Sequence, residues 1–214
     1  MRFSLLTDGS SDTVLIPILS WMLGQQTSEP FESQWADLRG LSHPPRTLSE
    51  RIATAIDLYP CDLLFVHRDA ERDPRDSRVR EIRRALSGVL HPPVVCVVPV
   101  RMQEAWLLFD ELALRRAAGC PNGKMPLDLV PLHRVEQEPD PKDVLYGLLR
   151  TASGLTGRRA KQFRPQVHTH RLAELIDDFS PLRQLSAFQA LEEEIVAALE
   201  GLRCSPGDAG HEHH

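Results

Sequence analysis

The chain has 214 residues, 42% of them hydrophobic and 26% charged, which is enough apolar material for one good core and makes one domain with a helical extension the default. A formal charge of −5 excludes a global basic field, so contact with nucleic acid would require a local basic patch. No run approaches the roughly 18 apolar residues of a membrane span, and the N-terminal MRFSLLTDG lacks the apolar segment of a signal peptide. Cys61, Cys96, Cys120 and Cys204 form no CxxC pair and read as reduced, mostly buried thiols, so the expected location is the cytoplasm, away from membranes.

In chain order, Phe3, Leu5 and Leu6 read as a strand that leads into Thr7, Asp8, Gly9, Ser10, Ser11 and Asp12. Val14, Leu15, Ile18, Leu19 and Met22 then recur at helical spacing, with Gly24 as a stop signal. Thr47 and Glu50 fit a capping box for a helix that ends near Tyr59 and feeds a strand from Asp62 to Val66. That apolar run stops abruptly on His67, Arg68, Asp69 and Glu71. Residues 76–90 predict an amphipathic helix whose RVREIRR face is solvated, ended by Pro92 and Pro93. Val94 to Val100 is a β-branched run suited to a strand covered on both faces. This alternation predicts an α/β fold with a mostly parallel central sheet flanked by helices in three layers.

Beyond Val100 the character changes. A helical stretch runs from Glu104 to Ala118, with Trp106 as core packing, its indole N–H satisfied. Residues 119–141 read as a surface excursion, and helical patterns resume over 143–150, 171–176 and 186–202. The expected organisation is an α/β core over 1–110, a helical C-terminal portion over 111–204 packed on it, and a flexible, His-rich tail over 205–214.

The chemistry concentrates where strands end. Ligands collect outside the carboxyl ends of parallel strands, and there Asp8, Asp69 and Glu71 offer hard oxygen donors suited to Mg²⁺ or Mn²⁺. Glu104, just past the next strand, is an additional ligand or base, while Arg68 and Arg101 suit bidentate phosphate binding. The competing reading is structural, because Asp8 or Asp12 would equally serve to cap the first helix. Farther along, Arg158, Arg159, Lys161 and Arg164 suit either a groove for a phosphate backbone or a solvated helix face.

The Asp8-Gly9 pair after the first strand and the HRDAE motif after a later one resemble the Toprim fold of topoisomerases, primases and overcoming-lysogenization-defect nucleases. The order TDGSSD, VHRDAE, VPVRMQEAWLL and DDFSPLRQLSAF is similar, across most of the chain, to the bacterial family of unknown function DUF4276. The resemblance implies a Toprim-like fold in which Asp8 is catalytic and Asp8, Asp69 and Glu71 bind the metal; Glu104, from its place after the next strand, is the second expected catalytic residue. The residues expected to hold the substrate, from their places at strand ends and in the later basic group, are Gly9, Ser10, Arg68, Arg101, Arg158 and Lys161. Two departures stand out: Asp8 replaces the usual Glu, and His67 stands at the first Asp of an Asp-x-Asp-x-Glu motif as a modified ligand.

The expected function is divalent-metal-dependent hydrolysis of phosphodiesters in DNA or RNA, with a place in bacterial defence. The alternative is a catalytically degenerate module that binds nucleic acid or a partner ATPase. A second copy of the chain is a further expected partner. A phosphatase or nucleotide-binding enzyme is the weaker third reading, since no Gly-rich phosphate loop is present.

Overall fold

A computed structural model describes residues 1–204, so the tail expected over 205–214 lies outside the described residues. Four short strands, β1 (Arg2–Leu6), β2 (Glu32–Trp35), β3 (Leu63–His67) and β4 (Val94–Val97), pair in parallel in the order β2-β1-β3-β4. β1 and β3 are central and buried along their length, apart from Arg2, as their near-continuous apolar runs require. β2 has no such run: it is a polar edge strand, ESQW, held by register with β1. The expected strand over 94–100 is shorter because Pro99 has no N–H for the ladder, although its carbonyl still accepts from the Ala70 amide at 3.3 Å.

Alternation along the strands divides the interior into two cores. Phe3, Leu5, Leu63, Phe65, Val95 and Val97 face one side, packed with α1 (Leu15–Gln26) and the C-terminal helices. Leu6, Leu64, Val66, Val94 and Cys96 face the other, under α2 (Leu48–Leu58) and α3 (Arg75–Leu86). The result is an α/β structure with an all-parallel sheet between helical layers. The helices after residue 110 complete one layer and share its core with α1. They are α4 (Glu111–Ala117), α5 (Pro141–Ala152), α6 (Gly157–Gln162), α7 (Pro165–Leu175) and α8 (Ser186–Cys204).

Local signals explain most boundaries. In the capping box at α2, Thr47 Oγ1 accepts the Glu50 N–H at 3.1 Å and Glu50 Oε2 accepts the Thr47 N–H at 3.1 Å. α1 runs two residues past Gly24, because the buried Met22 and Leu23 outweigh glycine's weak helix preference. α3 ends at Leu86, before the prolines, with Gly88 at φ 83°. The expected helix over 104–118 divides into a 3-10 turn, Gln103–Leu107, and α4, which Asp110 caps by accepting the Ala113 N–H at 2.8 Å. Trp106 is fully buried edge-on to Phe188, but its indole N–H has no partner among the described residues, contrary to expectation. Of the four free cysteines Cys96 is buried, Cys61 and Cys120 are partly so, and Cys204 is exposed.

One polar contact fastens α8 to the sheet edge. Glu194 accepts the Cys96 N–H at 2.9 Å and pairs with Arg83 at 2.8 Å and Arg75 at 3.4 Å. Glu194→Ala strands the Cys96 amide and is expected to lower stability by about 1–3 kcal/mol. Glu194→Gln, which keeps an acceptor, should lose less. Urea denaturation of the two variants distinguishes these outcomes, and equal loss would contradict the role given to the amide.

Candidate functional site

The strand order has a switch point between β1 and β3. The connection leaving β1 passes through α1 on one face of the sheet, whereas those leaving β2 and β3 pass through α2 and α3 on the other. Chains that diverge this way leave a crevice at the carboxyl ends of the two strands. A cleft of about 350 Å³ lies there. Its walls are Asp8, Gly9, Ser11 and Asp12 after β1, His67, Arg68, Asp69 and Glu71 after β3, and Met102, Gln103 and Glu104 after β4. Arg78 of α3 and Lys142 of α5 complete it. A larger hollow of about 610 Å³ opens at the opposite strand ends beside Met1, Pro30 and Asp62, but no buried carboxylate or histidine lines it.

The deepest carboxylates are Asp12 and Glu104, 7% and 3% exposed. Asp12 Oδ2 accepts the Gly9 N–H at 3.0 Å across a 3-10 turn, Ser10–Val14, rather than capping the first helix as expected, and α1 has no side-chain cap among the described residues. Its Oδ1 accepts from Ser11 Oγ at 2.8 Å and Gln103 Nε2 at 3.0 Å. The same carboxylate thus caps a turn and forms part of the cleft wall. Gln103 has spent its amide nitrogen on Asp12, and its buried Oε1 has no partner among the described residues. Glu104 Oε1 faces Lys142 Nζ at 3.4 Å. Burial works against the Lys142 ammonium, but Glu104, Tyr146 and Asp12 together outweigh it and raise the lysine above its ordinary range.

His67 is buried at the end of β3, and burial lowers its pKa despite the carboxylates nearby. The neutral ring donates Nδ1–H to the Val97 carbonyl at 3.0 Å, a tautomer assigned from this bond. That leaves the Nε2 lone pair 3.5 Å from Asp69 Oδ1. Asp69 Oδ1 also accepts the Gln103 N–H at 3.1 Å. Burial, then the charges of Glu104 and Asp12, push the Asp69 carboxyl up to about 8. At neutral pH it holds a proton that suits donation to His67 Nε2.

The remaining expected residues divide into two groups. Asp8 lines the cleft, but its carboxylate is committed to guanidiniums: Arg51 binds Oδ1 and the Thr7 carbonyl, and Arg68 Nε lies 3.4 Å from Oδ2. Glu71 is exposed at the rim, 3.8 Å from Arg78. Its φ of 54° and the 64° of Arg101 are left-handed, and the two loops are tied where the Glu71 N–H donates to the Arg101 carbonyl at 2.9 Å. Gly9 lines the cleft, but Ser10 and Arg101 do not. Arg158 and Lys161 lie outside it, exposed on α6. The functional residues that sequence reasoning missed are Asp12, read as a cap, and Gln103 and Lys142, which carried no motif signal.

A hard divalent cation fits this donor set. The cleft offers hard oxygen acceptors, including the orphaned Gln103 Oε1, and burial, with the charges of Glu104 and Asp12, makes Asp69 keep its proton. Among the described residues no three His, Cys, Asp or Glu side chains converge closely enough to hold a metal alone. An ion there would therefore retain waters, as Mg²⁺ does. Comparison of the chain with protein-family models, with curated proteins and with solved structures found no match.

Asp69 makes the site's stability depend on pH in a calculable direction. The folded protein keeps a proton that the unfolded chain releases above its ordinary value of 3.8, so Asp69 lowers stability progressively from about pH 4 to about 8. Asp69→Asn keeps an oxygen for Gln103 N–H and cannot ionise. Its urea midpoint should match the parent near pH 4 and exceed it increasingly towards pH 9; a gap that does not change with pH contradicts the assignment.

Proposed function

We propose that the chain is a divalent-metal-dependent phosphodiesterase acting on nucleic acid. The reading rests on one observation: loops after β1, β3 and β4 bring Asp12, Asp69 and Glu104 to a single cleft at the switch point of a parallel sheet. The likeness of TDGSSD and VHRDAE to Toprim motifs supports the same reading and extends the proposal to a Toprim-like core, within which the motif order is similar to DUF4276, a family that itself carries no assigned activity. A role in bacterial defence belongs to this proposal by analogy with related nucleases.

No three of the cleft's carboxylates converge closely enough to ligate one ion together, so Asp12, Asp69 and Glu104 would hold Mg²⁺ or Mn²⁺ partly through its waters, with Asp8 and Glu71 at the margin, each already beside an arginine. When bound, the cation supplies Lewis-acid polarisation of phosphoryl oxygens and a more acidic water. Glu104, buried and aimed at the cleft, is the base for the attacking water. Lys142 and Arg68 bring positive charge to the oxygens that become more negative as the phosphodiester bond breaks. His67 Nε2 faces Asp69 Oδ1 at 3.5 Å and closes the floor of the cleft beside it.

A second reading has its own observation. The protein's own cations already neutralise the cleft, with Arg51 and Arg68 on Asp8, Lys142 on Glu104 and Arg78 beside Glu71. That arrangement favours a degenerate module that binds nucleic acid or a partner ATPase without cutting.

The two readings separate in one experiment. Hydrolysis of bis-p-nitrophenyl phosphate and of a labelled oligonucleotide should require Mn²⁺ or Mg²⁺, disappear with EDTA, and fall by about 100-fold or more in Glu104→Gln. Hydrolysis insensitive to EDTA overturns the proposal. No hydrolysis by the intact protein, with oligonucleotide binding retained, selects the degenerate module.

A further inference from the structure

Two arginine-rich helices differ in what their charges meet. On α3, Arg75, Arg78 and Arg83 each pair with carboxylates of Glu194, Asp73 or Glu81, and only Arg80 and Arg84 meet none among the described residues. The segment from 144 to 173 is different: across thirty residues it carries Arg150, Arg158, Arg159, Lys161, Arg164 and Arg171 and no Asp or Glu, in a chain whose net charge is −5. All six cations are exposed, and none of their side chains has a hydrogen bond or ion pair among the described residues. Unscreened like charges raise one another's energy; Arg46, Arg72 and Lys124 also lack an ion pair among the described residues, but each has Glu50, Asp73 or Asp128 within four residues. Here the fold concentrates positive charge on α6 and its flanks and leaves it uncompensated.

We infer that α6 and its flanks form an anchoring surface for the phosphate backbone of nucleic acid, distinct from the cleft; the inference rests on the phosphodiester reading of that cleft. Five of the six cations are arginines, whose planar fork matches phosphate oxygens and stacks on flat groups. Phe163 and His168, both partly exposed and interleaved in sequence with the basic residues, stack on each other at 4.5 Å and 9°. α6 itself, GRRAKQ, has no large apolar side chain with which to enter a lipid surface.

The surface is also connected to the cleft. α5 begins there with Lys142, packs on the 3-10 turn that carries Glu104, and twelve residues later delivers the chain towards α6. At about 1.5 Å per residue that helix is roughly 18 Å long. A duplex held on α6 would therefore reach the cleft within on the order of six base pairs, at about 3.4 Å per step.

The test measures binding without catalysis. Fluorescence anisotropy of labelled single- and double-stranded DNA and of RNA is followed in EDTA from 50 to 300 mM KCl with the full chain. The comparison is between R158E/K161E on α6 and R80E/R84E, a charge-matched control on α3. The expected result is salt-dependent binding by the parent, weakened at least about 10-fold in R158E/K161E and less than about 3-fold in the control. The salt slope should be smaller in magnitude by about 2 in the α6 variant.

Circular dichroism confirms that both variants fold. Hydrolysis of bis-p-nitrophenyl phosphate, too small to span the two surfaces, should be unchanged by R158E/K161E, so failure of the anchor and failure of the phosphodiesterase reading are separately visible. No binding by the parent at 50 mM KCl, equal loss in both variants, or capture by phosphatidylserine vesicles in preference to nucleic acid each overturns the inference.

Discussion

Like charges gathered where water is scarce must be balanced, and that constraint organises this structure around its sheet. A parallel sheet ordered β2-β1-β3-β4 sets the ends of β1, β3 and β4 side by side, and the sequence places a carboxylate after each. Asp12, Asp69 and Glu104 then raise one another's energy in a low-dielectric wall. The protein answers in three ways: Asp12 takes hydrogen bonds from Gly9, Ser11 and Gln103, Glu104 takes Lys142, and Asp69 keeps its proton. Stability alone would favour apolar replacements at such positions. The residual surplus of acceptors, including Gln103 Oε1, is what a hard cation would satisfy.

The helical layer does more than cover the sheet. α5 supplies Lys142 to the cleft and packs behind the Glu104 turn, and α7 packs against the turn that carries Asp12. α8 reaches the opposite flank, where Glu194 fastens the β4 edge beside Cys96, whose thiol burial and Glu194 together push up to about 12. Residues after 110 are therefore part of the site's scaffold. Unpaired positive charge sits on one segment of this layer and clustered negative charge in the cleft, an arrangement suited to a polyanion gripped at one place and presented at another.

Much of this was legible in the sequence because buried parallel strands have a simple signature. The apolar runs ending in TDGSSD and VHRDAE gave β1, β3 and their polar ends, and Thr47 with Glu50 gave the start of α2. β2 was not legible, since ESQW is polar and becomes a strand through pairing with β1. Asp8 stood out beside Gly9, but its commitment to Arg51, 43 residues away, is tertiary information. Asp12 read as a cap of the first helix, but it closes the 3-10 turn before that helix, and nothing local shows that the same carboxylate meets Gln103 from a turn 91 residues later. Lys142 follows Pro141 at a helix start and reaches Glu104 through the packing of α5.

The central claim is that the cleft between β1 and β3 is a divalent cation site. Crystals grown or soaked with Mn²⁺, with diffraction collected at the manganese edge, test it directly. The account predicts an anomalous peak within bonding distance of Asp69 or Glu104 oxygens, accompanied by a shift of Lys142 away from Glu104. A cleft without such a peak, while the ion is bound elsewhere on the chain or not at all, would contradict it.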